Sequence, residues 1–235
     1  MHPQTPSIQR TWPSGRRAFL KAGLAAAALA GLRRLASATL TALPLLPPAA
    51  GGPAATGEPA AAGEPAAGMF PGLTIYPRHT WTWLKPRPEL MRPAYDYKRL
   101  TVHHAGNGVN THTNWDEVIF DLNGVMEAHL QNRFGDIAYH FIIDYAGRIW
   151  AGRPLCYTGA HVSGFNDNNL GVMLQGNFEE QRPAPAQIQA LFALINAAQQ
   201  IWNIPGNAIY GHRDLGRSAC PGAHLYPLLA YYKNP

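Results

Sequence analysis

The chain has 235 residues, 46% of them hydrophobic and 14% charged, with 23 glycines, 21 prolines and two cysteines. An aromatic content of 10% supports a folded core and excludes wholesale disorder, and two cysteines exclude a disulfide-dense scaffold or a four-cysteine zinc knuckle. The net charge of +5 invites a nucleic-acid partner, but residues 1–38 hold six bases and no acid, leaving 13 bases against 14 acids elsewhere, so no nucleic-acid partner is expected.

Residues 1–38 read as an export signal. A basic start at Arg16-Arg17 and Lys21 precedes an apolar run from Ala22 to Leu32, with small residues at Ala36-Ser37-Ala38. That run of 11 residues is too short to cross a hydrocarbon core, and Arg33 and Arg34 interrupt it. The paired arginines followed by Phe19-Leu20-Lys21 resemble a twin-arginine signal, a route for already folded proteins. An exported protein of the periplasm or cell surface is expected, with membrane contact only through this segment if it stays uncleaved. Residues 39–68 read as a Pro/Gly/Ala-rich linker. Gly-Glu-Pro-Ala-Ala occurs twice there, from Gly57 and from Gly63, and large apolar side chains are almost absent after Leu46. Such a stretch cannot offset the entropy of ordering itself.

Residues 69–235 remain for one folded domain with a substantial core. Leu100, Val102 and His104 alternate with Arg99, Thr101 and His103, a strand period. Thr113-Asn114-Trp115-Asp116 offers a helix cap, and Trp115, Ile119, Leu122 and Met126 recur at helical spacing. A strand pattern over Ala138–Tyr145 turns at Ala146-Gly147 into Arg148–Ala151, a predicted hairpin that places Tyr139, Phe141 and Ile143 on one face. Leu170–Leu174 reads as a buried strand. Pro185 opens a helix lined by Ile188, Leu191, Phe192, Ile195 and Trp202 and stopped at Asn203, and Ala208–Gly211 is a last short strand. The fold class is α/β: a single domain with a central mixed β-sheet flanked by helices.

Ten histidines are present, and geometry has to select among them. His103 and His104 are strand neighbours, so their side chains leave opposite faces and only one can serve a given pocket. His212 ends a predicted strand, and Cys220 follows eight residues later across a glycine-containing loop closed by Pro221-Gly222. These two with a distant strand histidine can supply three zinc ligands, leaving the fourth position for water, the arrangement of a catalytic site. A cysteine hydrolase with Cys220 as nucleophile and His212 as base is the alternative chemistry for the same residues.

Four blocks then carry a resemblance. Thr101-Val102-His103-His104, Gly135 to Asp144, Gly159-Ala160-His161 with Gly164-Phe165-Asn166, and Gly211-His212-Arg213-Asp214 with Ala219-Cys220-Pro221-Gly222 are similar, in order, to the zinc N-acetylmuramoyl-L-alanine amidases. The branch is that of phage amidases and peptidoglycan-recognition proteins, and the likeness spans roughly residues 75–226. It implies hydrolysis, by a zinc-activated water, of the amide between N-acetylmuramic acid and L-alanine in peptidoglycan or muropeptides. It implies Zn2+ ligands at His103, His212 and Cys220, a catalytic tyrosine at Tyr139, and groove residues at His161 and Asn166. His104 is not a ligand in that family. Members that only bind peptidoglycan typically lack part of the ligand set, often the cysteine, so a non-catalytic binding module is the other reading.

Departures from the family pattern are Ser218, where Lys or Thr is common, and Phe134 and Ala138, where Trp and Gly are usual. Ser218 is carried as a catalytic candidate because its hydroxyl can still donate a hydrogen bond, although without charge. Tyr139, His161 and the water are the candidate proton donors to the leaving amine. Cys156 is expected to be a small buried residue, and Asp214 to orient a ligand or fix its loop. Trp81, Trp83 and Trp150 are expected either to pack or to stack on sugar.

Overall fold

The computed structural model describes residues 68–233, so the expected export signal and almost all of the expected linker lie outside the described residues. Its strands are β1 (Ile75–Tyr76), β2 (Arg99–His104), β3 (Phe141–Ile143), β4 (Ile149–Ala151), β5 (Asn169–Leu174) and β6 (Ile209–Gly211). They form one sheet in the order β1-β4-β3-β5-β2-β6. β3 and β4 pair antiparallel across the turn at Ala146-Gly147, where Gly147 has φ +82°, and every other neighbouring pair is parallel. The sheet is therefore mixed, as the sequence predicts.

One long helix covers each face. α1 (Trp115–Gln131) begins at Asn114, whose side chain accepts the backbone N–H groups of Asp116 and Glu117. It buries Val118, Leu122 and Met126 against Ile142, Trp150 and Met173, with Trp81 and Ile137 beside them. Val118 takes the fully buried place the sequence gives to Ile119, which lies at the margin. α2 (Pro185–Trp202) buries Leu191, Leu194, Ile195 and Ala198 against Leu100, Val102, Phe141, Ile143, Val172 and Leu174 on the other face. It ends at Asn203, whose φ of 51° is the left-handed cap conformation. Burying each Leu, Ile or Val side chain stabilises the fold by about 1.5–3 kcal/mol. Because both faces are covered, β5 is buried at all six residues.

The strand predicted over Ala138–Tyr145 is shorter than expected. Only Phe141–Ile143 pairs as strand, and Ala138, Tyr139 and His140 run irregularly into it. Tyr139 consequently packs with Ile142 and Met173 on the α1 face, whereas Phe141 and Ile143 point to the α2 face. The period-2 alternation therefore does not carry through residue 140. Arg153 fixes this irregular stretch: its guanidinium donates to the carbonyls of Phe134, Asp136 and Ile137, and to that of Thr158 on the neighbouring loop. Below it, Arg78 pairs with the buried Asp136 at 2.8 Å.

Candidate active site

The α1 face of β2 carries Thr101 and His103, and its α2 face carries Leu100 and Val102. β6 lies parallel to β2 with Val102 opposite Gly211, so His103 and His212 are the next residues out along the two strands. Their rings lie 4.8 Å apart, centroid to centroid. His212 opens the short helix α3 (His212–Leu215), and the chain then loops back to Cys220. Backbone contacts help hold that loop: the Arg213 N–H donates to the Cys220 carbonyl at 2.9 Å, the Cys220 N–H to Ser218 Oγ at 3.1 Å, and the Gly222 N–H to the Ala219 carbonyl at 2.9 Å. Gly222 has φ +100°, and a Cβ there would sit 2.7 Å from the Phe178 carbonyl oxygen, so only glycine fits. Asp214 fixes the turn by accepting from the Gly211 N–H, the Tyr226 hydroxyl and Lys233.

The outcome is a cluster of three donors. Ligand atoms of His103, His212 and Cys220 all lie within 4.8 Å of one another. Cys220 Sγ is 3.6 Å from His103 Nδ1, and it accepts the His104 backbone N–H at 3.3 Å. A tetrahedral zinc with usual Zn–S and Zn–N bonds places S and N about 3.6 Å apart, so these residues fit that ion. Burial first, and then the neighbouring imidazoles, hold His103 well below the ordinary histidine range, and burial lowers His212 too. Neutral imidazoles are what a metal requires. Burial pushes the Cys220 thiol up to about 12, the reverse of what an unaided nucleophilic cysteine needs. His104 is turned away, its Nδ1 accepting the Phe178 N–H.

Beside the cluster is a cavity of about 390 Å³ lined by His129, Phe134, Ala138, Tyr139, Ala160, His161, Ser163 and Asn166. Tyr139 connects the two, its ring 5.1 Å from that of His103. Burial raises its phenol above the ordinary tyrosine range, so it remains a proton-bearing donor. Asn166 Oδ1 accepts the N–H groups of His161 and Val162, shaping the wall. His161 lines this wall but is only 7% exposed, and both of its ring nitrogens have partners inside the protein. Both ring nitrogens are thus engaged within the protein while the residue lines the cavity wall. Ser218 is seen in its loop contact with Cys220.

Sequence reading missed His129. Its ring lies between Phe134, at 5.3 Å, and Tyr139, at 5.6 Å, and its Nδ1 accepts the Ala138 N–H. The available signal was its place three residues beyond Met126 on the buried stripe of α1. Cys156 is exposed, not buried as expected, because the loop after Pro154 carries it outward. Trp81 and Trp150 are core residues, while Trp83 is 82% exposed.

Comparisons with known proteins agree with this geometry. A family model described as N-acetylmuramoyl-L-alanine amidase matches residues 93–223. The chain is 28% identical over 161 residues to a peptidoglycan-recognition protein of Drosophila melanogaster, covering 68% of this chain and 87% of that one. Among solved structures it is similar to Drosophila peptidoglycan recognition protein SD, with TM-score 0.61 and 26% identity over 67% of this chain and 93% of that one. It is also similar to the N-acetylmuramoyl-L-alanine amidase LysC of Clostridium intestinale, with TM-score 0.54 and 26% identity over 69% and 95%.

Proposed function

Because the chain belongs to the N-acetylmuramoyl-L-alanine amidase family, we propose that it hydrolyses the amide between N-acetylmuramic acid and L-alanine in peptidoglycan or its fragments, with zinc held by His103, His212 and Cys220. The observation that carries this reading is the convergence of those three donors, with Tyr139 of the neighbouring cavity 5.1 Å from the His103 ring. Zinc, when bound, supplies Lewis acidity and ionises a water near neutral pH.

The protein's own groups do the rest. The cavity takes the scissile amide with its carbonyl toward Tyr139, whose hydroxyl donates to the oxygen as negative charge develops there. The edge contact of His129 on Tyr139, backed by Phe134, sets the position of that hydroxyl. Tyr139 is also the proton-bearing group best placed to serve the departing amine, since His161 is committed elsewhere. Asn166 keeps its amide nitrogen available to the stem peptide while its oxygen holds the wall. Ser218 adds a neutral hydroxyl two residues before the Cys220 ligand.

Peptidoglycan binding without hydrolysis is the rival reading, favoured by the likeness to proteins named for recognition. The full His103, His212 and Cys220 set favours hydrolysis. The reading includes export through residues 1–38 to the periplasm or cell surface, with residues 39–68 as the tether. Purified protein loaded with zinc is incubated with defined muropeptides, and the products are weighed by mass spectrometry. Release of free stem peptide that stops with a chelator and resumes with zinc supports the proposal. Tight binding with intact muropeptide overturns it in favour of the rival, and activity indifferent to chelator would revive the cysteine mechanism.

A further inference from the structure

We propose that His161 is a positioning residue for the His103 ligand, fixing which ring nitrogen of His103 is left bare for the metal, and is not a contact for substrate. The inference deepens the zinc-dependent reading above and rests on it for its functional meaning.

A chain of hydrogen bonds with one possible direction runs through the two rings. His161 Nε2 lies 3.1 Å from the carbonyl oxygen of Asn169. A carbonyl can only accept, so Nε2 carries the hydrogen, and the Nδ1 of a neutral His161 is then bare. That bare Nδ1 lies 3.0 Å from His103 Nε2. It must receive a hydrogen there, which makes His103 the Nε2–H tautomer. His103 Nδ1 is the atom left with a lone pair, and it faces Cys220 Sγ at 3.6 Å. The tautomer is assigned by this network, starting from a backbone oxygen that offers no choice. A histidine ligand whose other nitrogen donates to a fixed acceptor is the usual way a protein orients a metal ligand.

The His161 ring is also held in a fitted socket. A Cβ on Gly171 would stand 2.5 Å from its Cδ2, and one on Gly159 would stand 2.6 Å from its Nε2. Neither glycine has a left-handed backbone, so both are needed for space and not for conformation. Meanwhile Asn166 accepts the His161 backbone N–H at 2.9 Å. A ring pressed between two backbones, with both nitrogens used, has no polar atom left to offer a ligand in the cavity.

The test uses the full chain, as the wild type and as two variants. His161→Asn keeps an acceptor near the position of Nδ1, whereas His161→Leu removes it and leaves the His103 N–H unpaired. Zinc affinity is measured by competition with a chromophoric chelator, and hydrolysis is split into kcat and KM. The proposal expects His161→Leu to bind zinc about 10- to 100-fold more weakly and His161→Asn to recover to within about threefold of wild type. Unchanged zinc affinity in His161→Leu with a raised KM overturns it and makes His161 a substrate contact. Nitrogen-15 NMR of the imidazoles in metal-free wild type reads the tautomer directly, so a variant that fails to fold does not remove the test. Protonated Nε2 on His103 supports the proposal, and protonated Nδ1 overturns it. Failure of the wild type to bind zinc would defeat the hydrolase reading while the tautomer measurement still judged the hydrogen-bond chain.

Discussion

Replacing Tyr139 with Phe separates catalysis from scaffold in this molecule. The tyrosine ring touches the rings of His103, His129 and His161 and packs against Ile142 and Met173, and phenylalanine keeps all of those contacts. The hydroxyl has no hydrogen-bond partner among the described residues, so its removal leaves no orphaned group, and stability should change by less than about 0.5 kcal/mol. On the proposed mechanism, what is lost is one donor to the developing oxyanion, a contribution of about 2.7–4 kcal/mol to the barrier. At about 1.36 kcal/mol per decade this is a fall of about 10²- to 10³-fold in kcat. The assay is the rate of stem-peptide release from a defined muropeptide, run beside zinc content and thermal unfolding. A variant with full zinc, native stability and kcat within about threefold of wild type would refute the role given to Tyr139. Loss of zinc in Tyr139→Phe would refute it differently, by making the ring hydroxyl part of the metal scaffold.

Further outcomes are expected. Zinc at 100 times its dissociation constant stabilises by about 2.7 kcal/mol, so chelation should lower the wild-type melting temperature by about 5–10 °C at 2–4 °C per kcal/mol. The Cys220→Ala variant should show almost no such response to chelator in the same scan. Asp136→Ala removes the carboxylate beside the buried Arg78, whose guanidinium keeps the Gly152 and Leu84 carbonyls, and should cost about 3 kcal/mol, read from the urea midpoint. Burial, with Arg153 adding, lowers His129 to about 4 against an unfolded value near 6.5. The unfolded chain thus binds the extra proton first, so this contribution is complete above about pH 6.5 and is lost as pH falls through about 4. Urea midpoints that fall from pH 7 to pH 4.5, with a shallower fall in His129→Phe, would bear this out, and parallel curves would contradict it.

How far the sequence could be read depended on how regular the backbone is. β5 and α2 are plain because the five-residue run Leu170–Leu174 and a helical stripe closed by Asn203 follow simple patterns. The same is true of His103 and His104, which diverge because β2 is a regular strand. Tyr139 shows the limit. A strand period would have put it with Phe141 on the α2 face, and it reaches His103 only because Ala138 to His140 leave the ladder under the hold of Arg153, a residue with no local signal. His161 marks a second limit: its motif gives its neighbourhood, but the two glycines and the Asn169 carbonyl that commit its ring are set by packing across the sheet. The exposure of Cys156 has no sequence signal because burial in a loop depends on which way the loop leaves the core.

The ends of the sheet order have a consequence of their own. The outermost strands are short, two residues in β1 and three in β6, while the six-residue β2 and β5 lie inside. An open rim of unpaired peptide groups is the template on which one chain zips onto another, and length is what makes it dangerous. With so little rim on either side, copies of this domain crowded together have almost nowhere to add a stray strand.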